Sequence, residues 1–370
     1  MDRMNNSTIS QSLSIDSTEK NNFMSTSGVV SSLAIFKAVL AVLVAVLSLV
    51  GNTIVIFVVF TTKKLHANTY FLIVNMSISD LLYTAVAIEP FIAGILERPF
   101  PFRGSWGTFI CKFVNAMGFG MIASSVLTLA AIAYDRFFAI VFPLKNLKNK
   151  TYLKWIVASI WLCSALVMSP MMYAMRLHED NNTSYCYEDW SPYFDTDMAA
   201  KTYTVILFVV IYSIPFLTMF IFYSLMSYIL WFRKIPGISD EITRQRIVSG
   251  RRKVVRMLIF ILVCFILCWL PLQISTFSVY FGDAEFPFEF FFACEFLIRA
   301  NGAINPIIYV VFNENFRRGF KRVLYMGCRS KLNVPIYVSA KTNFLSLTSS
   351  KQSNQASSNQ RLLYLRETVV

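Results

Sequence analysis

The sequence predicts an all-α membrane protein: a seven-transmembrane helix bundle followed by a short amphipathic eighth helix. Three observations carry this prediction. Of the 370 residues, 56% are hydrophobic and only 15% charged, a more apolar balance than water-soluble domains show. The apolar residues gather into seven stretches of roughly 20 residues or more, the length that crosses a bilayer core. The basic residues cluster in alternate connections, as the positive-inside rule asks of cytoplasmic segments.

The seven spans fall at about 33–60, 69–96, 108–141, 152–174, 200–232, 250–280 and 288–312. The bundle is therefore 33–312, preceded by a tail at 1–32 and followed by the amphipathic helix at 313–326 and a second tail at 327–370. Helices suit the apolar stretches because, without water, backbone groups must bond within their own segment. The first tail is polar and has no apolar run before the first span that would serve as a cleaved signal, so that span is expected to target the chain. Lys63 and Lys64, then Lys145, Lys148, Lys150 and Lys154, then Arg233, Lys234, Arg244, Arg246 and Arg251 to Lys253, then Arg317, Arg318, Lys321 and Arg322 mark the cytoplasmic segments. The N-terminus is then extracellular and the C-terminus cytoplasmic. The net charge of +13 is mostly this topology signal, so nucleic acid is not an expected partner.

The opposite connections are acidic, with Glu179, Asp180, Glu188, Asp189, Asp195, Asp197, Asp283 and Glu285. Asn5, Asn6, Asn181 and Asn182 stand in glycosylation patterns on this side, whereas Asn75 in a span and Asn149 in a basic loop match by chance. Cys111 opens the third span and Cys186 lies between the fourth and fifth, both on the oxidising side. A disulfide is their natural pairing, pinning the loop over the bundle mouth; the alternative is two free buried thiols.

Polar side chains inside a membrane are costly and mark function by default. Asn52, Asp80, Ser125, Asn301 and Asn305 are spread over four spans, and facing inward they form either a water or sodium site or a static hydrogen-bond network. Pro90, Pro170, Pro215, Pro271 and Pro306 each remove a backbone bond, so five helices are expected to be kinked or locally unwound.

These residues sit in motifs that resemble the rhodopsin-like (class A) G-protein-coupled receptors over about residues 33–328: Gly51-Asn52, Asn75 with Asp80, Asp135-Arg136-Phe137, Trp161, Pro215 with Tyr223, Phe265-x-x-Cys268-Trp269-Leu270-Pro271, and Asn305-Pro306-x-x-Tyr309, in order, one set per span. The resemblance implies a plasma-membrane receptor, not an enzyme. Agonist contacts near Trp269 and Phe265 would swing the cytoplasmic end of the sixth helix outward about Pro271, opening a cavity beside Arg136 for a heterotrimeric G protein, with Tyr223 and Tyr309 turning in as support. Asp80, Ser125 and Asn301 match the family's allosteric sodium site, and no other cofactor or metal is expected. Two departures are plain: Phe137 stands where Tyr is commoner, and Arg251 stands where some members place an acid against Arg136. Arg251 cannot pair with Arg136, so the resting state is expected to rely on Asp135 alone, with appreciable basal signalling.

Family patterns also narrow the ligand. Amine receptors carry Asp at the position of Gly118, and light sensors carry Lys at the position of Arg299, whose guanidinium forms no Schiff base. The acidic rim favours a cationic peptide, with the look of neuropeptide receptors, including those for amidated Arg-Phe peptides; lipids and nucleotides are the alternative ligands. The expected pocket comprises Glu89, Gly118, Trp269, Gln273, Glu295 and Arg299, with Glu89 meeting a peptide Arg or Lys. Glu295 and Arg299 lie four apart and either neutralise each other or face the ligand. Phe100-Pro101-Phe102 and the Phe286 to Phe292 segment either receive aromatic ligand groups or anchor in lipid.

Phe316, Phe320 and Leu324 alternate with basic residues, which suits a helix lying on the membrane. Cys328 just beyond is a palmitoylation site by position. The tail serines, among them Ser346, Ser353 and Ser357, suit a receptor kinase and arrestin, and Thr368-Val369-Val370 fits a PDZ domain. An ion-coupled transporter is the rival class, but no inverted repeat is visible. The two histidines, His66 and His178, have no carboxylate or cysteine set around them for metal or base catalysis.

Overall fold

The computed structural model describes residues 31–96, 98–142, 150–180, 183–232, 241–282 and 284–329. Helices α1 (Ser32–Thr61), α2 (Asn68–Ile95), α3 (Gly104–Val141) and α4 (Lys150–Ala174) are followed by a hairpin of β1 (Met175–Asp180) and β2 (Thr183–Glu188). Next come α5 (Thr196–Phe232), α6 (Glu241–Gly282), α7 (Phe288–Phe312) and α8 (Glu314–Arg329). The seven predicted spans each fall on one of α1 to α7, and the amphipathic segment on α8.

Helices α1 to α6 are long and apolar enough to cross a bilayer. Glu289, Glu295 and Arg299 lower the average of α7, yet its 25 residues reach about 37 Å at 1.5 Å per residue. The outward faces carry large apolar side chains, Leu43, Leu47, Leu162, Leu217 and Leu267 among them, each more than half exposed. Such a surface is at home where the solvent is hydrocarbon. The inward faces form one continuous core from Val55 in α1 through Leu129 in α3, Met219 in α5 and Leu258 in α6 to Tyr309 in α7.

Local chemistry sets the helix ends. The Ser31 hydroxyl accepts from the Ala34 amide at 3.1 Å at the start of α1, and the Asp195 carboxylate accepts from the Met198 amide at 2.8 Å at the start of α5. Two glycines permit close helix approach: a Cβ on Gly51 would sit 2.9 Å from the Pro306 ring, and one on Gly319 would sit 2.3 Å from Val58. The first locks α1 to α7 and the second seats α8 against α1. Burial of Phe316 fixes the register of α8, while Arg317, Arg318 and Lys321 stay outside.

Prolines act more locally than expected. Pro90, Pro170, Pro271 and Pro306 lie inside segments that remain α-helical. Only in α5 does the winding change, to a π-helical turn over Phe208–Ser213 just before Pro215. Pro215 cannot donate to Ile211, and the spare carbonyl is absorbed by wider i→i+5 winding. The hairpin was not expected. Its strands pair antiparallel, with Leu177 opposite Cys186, and a disulfide joins Cys186 to Cys111 on α3 with Cα atoms 5.8 Å apart. The tether read from the sequence is thus present, on a regular scaffold instead of a loop.

Asn5, Asn6, Asn181, Asn182, Asp283, Ser346, Ser353, Ser357 and Thr368 to Val370 lie outside the described residues. Cys328 falls within α8.

Candidate functional site

Three layers of functional side chains run down the bundle interior, between the hairpin end and the opposite end, where Arg136 sits.

At the Arg136 end, the guanidinium lies 3.2 Å from Asp135 and also donates to the Thr69 hydroxyl, which in turn donates to Asp135. The resting arrangement therefore does not rely on Asp135 alone: Thr69, on the first turn of α2, closes a three-residue ring. Arg251 takes no part in it, and its buried Nη1 has no partner among the described residues. Its neighbour Arg252 instead holds α6 to α5, donating through Nε and Nη2 to the Leu230 carbonyl at 2.9 and 2.6 Å and lying 4.9 Å from the Trp231 ring centre. The guanidinium thus meets a backbone carbonyl and an aromatic ring of α5 at once. Phe137 stacks on Phe222 of α5, with centroids 4.7 Å apart. Tyr223 and Tyr309 are both buried; the Tyr309 ring rests on Phe316 of α8 at 5.4 Å and its hydroxyl has no partner.

The middle layer is polar. Asp80 accepts from Ser125 on one oxygen and from Asn305 on the other, each at 3.0 Å. Asn52 donates to the Gly302 carbonyl at 3.1 Å and to the Ser48 carbonyl at 3.0 Å, and Ser48 meets Thr84 at 2.9 Å. Asn301 is buried one turn before Asn305. Alongside, Asn75 donates to Thr128 at 2.8 Å and accepts from the Trp161 indole at 2.9 Å, which ties α2, α3 and α4 together and leaves this asparagine inaccessible to glycosylation. Every donor near Asp80 carries oxygen as well, a set suited to a hard cation.

Above it, Trp269 stacks on Phe265 with centroids 5.5 Å apart, and Phe265 meets Phe216, next to Pro215, at 5.3 Å. The buried Trp269 indole nitrogen has no partner among the described residues. Gln273, half-buried, stands one turn nearer the hairpin on the same face. Across from α6, Gly118 is buried, and a Cβ there would meet nothing within 4 Å. The missing side chain leaves space beside α3, with no charge facing it.

Of the charged residues expected in the pocket, Glu295 and Arg299 pair with each other at 3.0 Å, and Arg299 lies 3.7 Å from the Phe91 ring centre. Mutual neutralisation is the reading the structure supports. Glu89 is not brought to them: its side chain is exposed, in helical register with exposed Ala85 and Ile78, whereas Ala87 and Phe91 turn toward Arg299. The aromatic segments largely contact their own members, Phe100 with Phe102 and Phe286 with Phe290, while Phe292 stacks on Phe91 of α2. Sequence reading missed Lys37, buried in α1, which pairs with Glu289 and lies 5.0 Å from the Phe292 ring centre. It also missed Thr69, Ser48 and Arg252. A lone lysine in an otherwise apolar span was a signal for the first; Thr69 and Ser48 are ordinary hydroxyls with none.

An antiparallel-tethered bundle of seven apolar helices with this interior fits one family, and the chain belongs to it: residues 51–309 match the rhodopsin family of 7 transmembrane receptors. These are G-protein-coupled signalling receptors that cross the membrane several times, and not enzymes. Among known proteins it is similar to the tachykinin-like peptides receptor 99D of Drosophila melanogaster, 35% identical over 74% of this chain and 54% of that receptor. It is also similar to the human substance-P receptor, 28% identical over 85% of this chain and 76% of the relative, and to the RYamide receptor of Tribolium castaneum, 27% identical over 76% and 78%. The match thus spans about half the length of the fruit-fly receptor.

Proposed function

We propose that this receptor takes a peptide at its hairpin end, outside the cell, and activates a heterotrimeric G protein at its Arg136 end, in the cytoplasm. The observation that carries the reading is the similarity, over 74% to 85% of the chain, to receptors named for tachykinin-like peptides, substance P and RYamide. The interior agrees with it. Gly118 offers no anion for an amine, and Arg299 is engaged by Glu295 and Phe91. The positive-inside pattern of the basic connections supports an Arg136 end inside and a hairpin outside, the orientation a plasma-membrane receptor needs.

In this reading a ligand above Trp269 acts through the row Trp269, Phe265 and Phe216. Shifting that row lets the part of α6 below Pro271 move away from α5, which requires the Arg252 bonds to Leu230 to open. Arg136, released from Thr69 and Asp135, then faces the space vacated, where a Gα subunit binds. The oxygens of Asp80, Ser125 and Asn301 are those that would hold a sodium ion, which would supply a positive charge against the Asp80 carboxylate. Replacing sodium by a bulky organic cation is expected to raise agonist affinity in the wild type and not in Asp80→Asn; equal affinity in both media for the wild type removes the ion. A receptor kinase and arrestin acting on the tail, and a PDZ protein at its end, complete the proposal.

A screen of synthetic neuropeptides, amidated ones included, on cells expressing the receptor with a promiscuous Gα tests the ligand class. Activation by at least one peptide is expected. Silence to every peptide alongside a response to a lipid or nucleotide overturns it.

A further inference from the structure

At the hairpin end each carboxylate carries charge that something must balance. Glu179 has Arg103 and the Gly104 amide, Asp197 has Lys201, Glu289 has Lys37 and Glu295 has Arg299. Asp189 accepts from Ser191 twice and from Thr196, and lies 3.7 Å from His178. Asp195 caps α5, while Asp180, Glu285 and Glu89 are exposed.

Glu188 differs from all of these. It is half-buried, and among the described residues no basic nitrogen lies within 4.0 Å of it. Burial pushes its carboxyl above the usual range, against a single opposing hydrogen bond from the Trp190 indole at 2.6 Å. That bond occupies Oε1 and fixes the group's direction; Oε2 accepts from no described residue. An unpaired carboxylate drawn out of water is costly and contributes nothing to folding that Gln or Met would not.

Its place explains the cost. Glu188 ends β2, two residues beyond Cys186, so the disulfide to α3 fixes it at the bundle mouth. Trp190 packs on Tyr203 of α5 at 5.4 Å, in a cluster that Tyr280 of α6 joins. The Glu188 charge lies within electrostatic reach of both tyrosines. A carboxylate walled by aromatic rings suits a guanidinium, which takes a hydrogen bond on its edge and a ring on its face.

Resting on the peptide reading above, we propose that Glu188 is the residue that selects a cationic side chain, arginine foremost, in the activating peptide. This replaces Glu89 in that role. It also ties recognition to the switch, because the cation would sit between the hairpin, α5 and the helix that moves.

The test uses two panels of synthetic amidated peptides, matched except that arginine in one is citrulline in the other, which keeps shape and removes charge. They are applied to full-length wild type, Glu188→Gln and Glu188→Asp, with surface expression measured for each. Gln retains an oxygen to accept from Trp190, so the hairpin is preserved. The wild type is expected to lose roughly tenfold or more in potency from arginine to citrulline, the scale of a charge-assisted hydrogen bond. Glu188→Gln is expected to lose that much for arginine peptides and to make no distinction between panels, while Glu188→Asp keeps part of the preference. An arginine preference unchanged in Glu188→Gln, or no preference in the wild type, overturns the assignment and leaves the peptide reading intact. Silence of the wild type to both panels overturns the peptide reading, and this assignment with it.

Discussion

Arg136→Ala is expected to abolish agonist-stimulated nucleotide exchange while leaving agonist affinity within about threefold of the wild type, a change of under about 1 kcal/mol, since the residue does not touch the ligand. Loss of coupling follows from position. Arg136 is the residue of α3 whose charge is held inward, by Asp135 and Thr69, beneath the opening between α5 and α6. An alanine has nothing to present to a Gα helix whose carbonyl end carries negative potential. Binding is expected to survive because Trp269, Gly118 and the hairpin lie several helical turns away on the other side of the polar layer. Radioligand binding and GTP analogue uptake on the same membranes separate the two effects. Intact agonist-stimulated exchange in Arg136→Ala would falsify the switch mechanism.

Cys111→Ser is expected to remove ligand binding and most surface expression. The disulfide closes a separation of 75 residues, from the first turns of α3 to β2, and a chain-entropy estimate for a loop of that size is about 4 kcal/mol. That is a large share of a marginal stability. The loss also has a direction, because β2 carries Glu188 and leads to Trp190 and α5. Without the tether the hairpin keeps its β1 pairing but no longer holds a fixed place over the mouth. Cys186→Ser and the double variant are expected to match Cys111→Ser, since each removes the same bond. Surface labelling with binding checks this; an effect of the double variant equal to the sum of the singles would mean that the cysteines act separately.

The bundle was legible because a bilayer imposes a length and an apolarity that no short motif can imitate. Spans drawn from hydropathy alone fall on α1 to α7, with ends displaced by a few residues. Part of the site was legible for a related reason. Asp80, Ser125, Asn305 and Asn52 are strongly polar in apolar surroundings, and the structure does bring them into one layer. What escaped depends on partners distant in sequence. Thr69 matters only because α2 begins beside Asp135, and Arg252 because it reaches the Leu230 carbonyl of α5. Glu89 was singled out for lacking a sequence neighbour of opposite charge; its side chain lies on the exposed face of α2 with Ala85 and Ile78. Glu188 stood in the acidic rim as one carboxylate of eight; burial and the commitment of its neighbours distinguish it, and neither is visible in a string of letters.

The central claim is that a peptide at the hairpin end drives nucleotide exchange at the Arg136 end. The direct measurement is GDP release from a purified heterotrimer by the purified receptor in lipid nanodiscs, with and without an activating peptide from the screen. The account predicts that the peptide accelerates release in the wild type and leaves the basal rate unchanged in Arg136→Ala. A peptide that binds the purified receptor saturably but leaves GDP release at its basal rate with representatives of every Gα class would contradict it.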